Sequence, residues 1–158
     1  MGNMYIENEP KQCIVIRNDL KNQKGEKVRS GKLIAQACHA SMGVILDMMK
    51  RTSRQETYAH DLRGWTQYEV KGIQLEFDVN SNLDKWLNGL FTKVCLQCNN
   101  EQELELLYYK AKDAGLPCKL IIDAGLTEFG GIPTKTCVAI GPDNPDKINE
   151  ITGHLKLL

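Results

Sequence analysis

The 158-residue sequence has no apolar run approaching the roughly 18–20 residues that a membrane-spanning helix needs. Its first ten residues, MGNMYIENEP, lack a basic-then-apolar leader pattern, and Ile6 stands where a myristoylation signal prefers Ser or Thr. A cytoplasmic protein with no membrane partner is therefore expected. There is no net charge, 20 Lys and Arg balancing 20 Asp and Glu, which argues against indiscriminate nucleic-acid binding. Repeats, low-complexity segments, a Gly-rich nucleotide loop and a G-x-S-x-G nucleophile elbow are all missing. Cys95-x-x-Cys98 has no second Cys or His pair to complete a zinc site. It also falls in a strand-like run, where residues three apart point to opposite faces. No metal and no cofactor is expected. The six cysteines mostly sit in apolar runs or within a helix and read as reduced core residues rather than disulfides.

What is present organises itself around Ser30–Met49. Ser30 has the chemistry of an N-cap. From Leu33 onward apolar residues recur at helical spacing on more than one face, so the helix is expected to be covered on most of its circumference. Lys32, Gln36 and His39 fall at i, i+4 and i+7 and form one polar stripe. A site and an ordinary solvated stripe are the two readings of that pattern. Between Arg17 and Lys32 six bases (Arg17, Lys21, Lys24, Lys27, Arg29, Lys32) face two acids (Asp19, Glu26), whereas Asn99–Glu105 holds three Glu and no base. A solvated loop is the competing reading of the basic run.

The remaining pattern is that of an α/β domain. Gln12–Arg17, Thr92–Cys98, Cys118–Asp123 and Thr136–Ile140 read as strands, the last running antiparallel to its predecessor or lying near it. Asn100–Gly115 and Asp146–Leu155 read as helices, with Gly115 as a C-cap and Pro145 at a helix start. Residues 1–10 are expected to be loosely held. Residues 11–158 are expected to form a single domain: a four-stranded mixed sheet with helices on both sides. An inserted hairpin and short helix should lie around 52–91, with a strand or hairpin arm in Tyr68–Phe77 and a helix in Ser81–Leu90. Sites in such sheets lie beyond the carboxyl ends of the parallel strands. Arg17-Asn18-Asp19, Lys32, and Asp123 with Thr127 should meet there. A carboxylate, a lysine and a hydroxyl suit hydrolysis of an activated bond. Asp123 would orient or deprotonate a water, and Lys32 would stabilise an oxyanion or hold a phosphate. Each also has a local reading: a turn-capping Asp, a solvated Lys, and a Thr satisfying loop backbone. Residues alone reach as far as a hydrolase of an anionic substrate.

Ile16–Leu20 (IRNDL), Gly31–Ala40 (GKLIAQACHA), Leu120–Thr127 (LIIDAGLT), Thr136–Pro142 (TCVAIGP) and Thr152–Leu157 (TGHLKL) resemble segments of the type II, archaeal and eukaryotic-type peptidyl-tRNA hydrolases. The resemblance runs in order over about residues 11–51 and 92–158. It implies an α/β hydrolase that cleaves the ester between a peptide and tRNA, freeing tRNA from aborted translation, with tRNA as partner and a homodimer compatible with the family. It also implies Lys32, Asp123 and Thr127 as catalytic residues, and Gln36, His39 and Thr136 as substrate-contacting ones. Arg17, Asp19, Lys24, Lys27 and Arg29 would then hold the substrate, the basic ones through phosphates. The family usually has Arg where Leu126 stands and Gln where Glu128 stands. The alternatives are an inactive RNA- or protein-binding module on the same fold and a hydrolase of another ester or amide.

Overall fold

The computed structural model describes residues 9–60 and 64–158. Of the expected loose segment 1–10, residues 1–8 lie outside the described residues, and Pro10 is buried. In chain order the elements are β1 (Lys11–Arg17), α1 (Ser30–Met48), β2 (Lys50–His60), β3 (Gly64–Gln74), α2 (Asn82–Asn88), β4 (Lys93–Cys98), α3 (Glu101–Asp113), β5 (Cys118–Asp123), β6 (Thr134–Asp143), α4 (Pro145–Thr152) and β7 (Lys156–Leu157).

The main sheet has five strands in the order β5-β6-β1-β4-β7, not the expected four. The extra one is β7, two residues long, which pairs Leu157 with Leu96 and Lys156 with Gln97. β1 and β4 are parallel, whereas β6 is antiparallel to both β1 and β5. The carboxyl ends of β1, β4 and β5 therefore share one edge of the sheet, where β6 begins. β1, apolar along nearly its whole length, is central and covered on both faces, as a continuous apolar run requires. Ile14 and Ile16 face α1 together with Cys137 and Ala139, packing on Ala40 and Val44. Cys13 and Val15 face the other way, onto Leu104 and Leu107 of α3 and Ile148 and Ile151 of α4.

Two expectations for α1 are corrected. Its N-cap is Arg29, in extended conformation and without a side-chain cap bond, so Ser30 is the first helical residue. Among the described residues the helix is also covered on one side only. It packs over β5, β6 and β1, leaving Ile34, Met42 and Leu46 more than half exposed. Together with Trp86, Phe91, Cys95 and Leu158, the uncovered side bounds an apolar groove of about 680 Å³.

The insertion is of two kinds. β2 and β3 pair with each other over eleven residues as a separate two-stranded sheet, and none of their described side chains is buried. α2, by contrast, belongs to the body. Ser81 caps it by accepting from the Asp84 amide, and Trp86, almost fully buried, donates from Nε1 to the Thr92 carbonyl at 2.8 Å. α3 is capped by Asn100, which accepts from the Glu103 amide, and its chain reverses at Gly115 with φ +68°. All six cysteines are free.

Candidate active site

Asp123 is the last residue of β5, and its side chain points toward α1. Lys32, in the first turn of α1, donates from Nζ to Oδ2 at 2.5 Å, and Gln36, one turn on, donates from Nε2 to the same oxygen at 2.8 Å. The helical i, i+4 spacing therefore delivers two donors to one carboxylate. The Gly125 amide donates to Oδ1 at 2.9 Å, closing a tight turn after the strand. Gly125 has φ +79°, and a Cβ there would run into the backbone of Ile132. From β6, Thr136 donates its hydroxyl to Gln36 Oε1 at 2.7 Å. Thr136 and Gln36 are both buried, so this hydrogen bond fixes which way the amide faces and aims its NH₂ at Asp123.

Burial alone would raise the Asp123 carboxyl. The Lys32 hydrogen bond, the Gly125 amide, the Lys32 charge and the Gln36 amide outweigh it, and the group titrates below the usual carboxylate range. Asp123 is thus an anion at neutral pH. Lys32 has three N–H bonds and Asp123 uses one, so two can turn toward an incoming oxygen. Its ammonium also lies 5.9 Å from the centroid of Phe129. Phe129 packs with Leu20 and Val28, which joins the 124–132 loop to the basic 18–29 loop beside the site.

The other predicted site residues fall around this centre. His39 is exposed and lines a groove of about 550 Å³ with Gln36, Gly43 and Asp123. Thr127 is exposed; it lines a separate recess of about 290 Å³ with Lys24, Arg29 and Glu128, and Asp123's own partners are Lys32, Gln36 and Gly125. Lys27 is exposed on the same basic loop. Arg17 and Asp19 are turned inward on each other. Nε and Nη2 of Arg17 reach the two Asp19 oxygens at 2.9 Å, and Nη1 reaches Glu101 at 2.8 Å and the Lys135 carbonyl at 2.9 Å. Hydrogen bonding to Asp19 holds the Arg17 guanidinium above its ordinary value and the Asp19 carboxyl below. The pair braces the start of β6 one residue before Thr136.

Two contributors were missed from the sequence. The Gly125 amide is one, for which an Asp-x-Gly after a strand is the available signal. Glu128 is the other: buried, it meets the exposed Arg29 at 2.5 Å and ties the loop after Asp123 to the start of α1.

An ionised carboxylate with its lysine, a buried relay to a threonine and a bordering basic loop can orient a water beside a cation that receives negative charge. The family model described as peptidyl-tRNA hydrolase PTH2 matches residues 10–158. A peptidyl-tRNA hydrolase of Methanocaldococcus jannaschii is 37% identical over 148 residues, covering 94% of this chain and 99% of that protein. Those of Methanothermobacter thermautotrophicus and Sulfolobus acidocaldarius are 38% and 32% identical over the same shares. With nearly the whole chain matched, and the matched region holding every residue that meets at Asp123, this protein belongs to the peptidyl-tRNA hydrolase PTH2 family.

Proposed function

We propose that the chain hydrolyses the ester that joins a peptide to tRNA, in the cytoplasm where translation supplies that substrate. The observation behind this is the convergence of Lys32, Gln36 and the Gly125 amide on Asp123 in a member of this family. Asp123 orients a water against the ester carbonyl and takes its proton in passing. The free N–H groups of Lys32 meet the oxyanion. Collapse breaks the carbonyl–ribose oxygen bond, giving a peptide carboxylate and a tRNA hydroxyl that gains the proton. Because its native pKa is depressed, Asp123 works by orientation and field more than as a proton store. Lys24, Lys27 and Arg29 hold the acceptor-stem phosphates, and Thr127 contacts the substrate from the adjoining recess.

The test mixes the protein with N-acetyl-aminoacyl-tRNA and with unblocked aminoacyl-tRNA, with Lys32→Ala as control. Release from the blocked substrate alone, lost in the variant, is expected. tRNA binding without release would favour the inactive binding module instead.

The exposed apolar strip on α1 is the surface best suited to a second copy of the chain. An Ile34→Glu/Met42→Glu double variant should sediment as a monomer where the parent sediments as a dimer; identical sedimentation of the two would remove that assignment.

A further inference from the structure

We propose that the peptide part of the substrate binds as an added strand along the open edge of β5, parallel to it, with its esterified end at Asp123. This rests on the hydrolase reading above and extends it to how the peptide is recognised.

β5 is an edge strand of the main sheet, and its last residue is the carboxylate at the centre of the site. The groove of about 550 Å³ beside it is lined by consecutive residues of that strand and the turn after it, Lys119 to Ala124, with Gln36, His39 and Gly43 of α1 as its wall. One continuous run of the strand, rather than residues scattered through the chain, therefore forms that side of the groove. The phase of the edge follows from the pairing. Gly141 N–H donates to Pro117 O at 2.7 Å, and the register pairs Lys119 with Ala139 and Ile121 with Cys137. Antiparallel alternation then turns the backbone groups of Lys119 and Ile121 toward β6. Those of Cys118 and Leu120 point outward, unpaired within the sheet.

Edge strands are commonly guarded by lysine. Here the guard is drawn aside, because Lys119 crosses the helix and meets Asp47 at 2.8 Å. It passes over Gly43, where a Cβ would come within 2.9 Å of Lys119 Cγ.

Direction and length are set by the chemistry. A peptide on tRNA is esterified at its carboxyl end. With that end at Asp123, its chain runs back toward Lys119 in the same sense as β5. At about 3.3 Å per residue, the stretch from Asp123 to Lys119 takes about four peptide residues. Recognition through main-chain hydrogen bonds ignores side-chain identity, as a substrate class of arbitrary nascent peptides requires. It also rejects an unblocked aminoacyl ester. Such an ester has no amide to enter the ladder, and it brings an ammonium toward Lys32.

The experiment uses the full chain and tRNA carrying acetyl-Ala, acetyl-Ala₂, acetyl-Ala₄ and two acetyl-Ala₄ forms N-methylated at alternate amides in opposite phase. Each ladder bond is worth about two- to tenfold. kcat/KM is therefore expected to rise about tenfold from one to four residues. It should fall about tenfold with one N-methyl phase and less than twofold with the other. Exchange of Ala for Ser or Val should change it less than about threefold. Rates independent of length, with the two methyl phases equal, would overturn the inference while leaving the hydrolase reading intact. Amide shifts in ¹⁵N-labelled protein on adding acetyl-Ala₄ carboxylate read the site without turnover. Shifts at 118–123 are expected, and shifts confined to the groove at Trp86 and Phe91 would overturn it even if the protein released nothing.

Discussion

Thr136→Val is the substitution that best separates the relay behind Asp123 from the carboxylate itself. Valine keeps the shape of threonine and removes only the hydroxyl, which donates to Gln36 Oε1 at 2.7 Å. Both residues are buried, so the abandoned amide carbonyl has no water to replace the donor. An orphaned buried acceptor costs about 1–3 kcal/mol. In a domain of this size that is roughly 2–4 °C of melting temperature per kcal/mol. Asp123 keeps its bonds from Lys32 and Gly125, so catalysis should drop rather than vanish. Losing about 1–2 kcal/mol of transition-state stabilisation corresponds to about 5–30-fold in kcat. KM should hold, because Thr136 is buried and acts on Asp123 through Gln36. Thr136→Ser restores the donor and should restore most of kcat. The assay pairs thermal unfolding with single-turnover release of acetyl-aminoacyl-tRNA. A valine variant that melts early yet keeps the parent kcat would refute the relay and leave Thr136 as core packing.

Three further outcomes follow from the same geometry. Replacing Lys24 or Lys27 by Ala should flatten the plot of log(kcat/KM) against log salt by about 0.7–0.9 per residue, and an unchanged slope would remove that lysine from phosphate contact. Because the native Asp123 pKa is depressed, the stability it contributes is present above its unfolded value of about 3.9 and is lost as pH falls through the native one. Urea unfolding should thus show Asp123→Asn less stable than the parent at pH 6, with the gap closing below about pH 4; a gap that stays constant with pH would contradict the depressed pKa. Excising residues 52–72 with a short Gly-Ser linker should move the melting temperature of the body by less than about 3 °C, since no described side chain of that hairpin is buried. A larger fall would mean that the hairpin supports the body.

The legible parts of this chain were those whose pattern reflects burial. β1, β4 and β5 were found because their apolar runs face packed helices, and the antiparallel turn into β6 followed from a connection too short for a crossover. The Lys32–Gln36 stripe was visible as helical spacing, but whether it was a site or solvated surface depended on Asp123, 91 residues away from Lys32 in sequence. The inserted hairpin is expected, but its first arm, β2, is not located by pattern, because none of its described side chains is buried and no alternation marks it. β7, with two residues, is too short to show a period. Thr127 is grouped with Asp123 by its place four residues on and by the family resemblance. The loop turns at Gly125, Gly130 and Gly131, all at positive φ, and sets Thr127 on the neighbouring recess instead. The apolar face of α1 looked like core because sequence shows hydrophobicity but not what covers it.

The order of strands in the sheet governs when the site comes into being during synthesis. β6 lies between β1 and β5, so the strand bearing Asp123 can join the sheet only after β6, the later segment, has left the ribosome. Lys32 meets Asp123 across 91 residues of chain, and Gln36 meets Thr136 across 100. Translation delivers the amino-terminal part first. A chain halted between residues 123 and 134 would own both the lysine and the aspartate without the strand that holds them together. A copy of this protein interrupted in that stretch cannot assemble the site, so its own release calls on a molecule already finished.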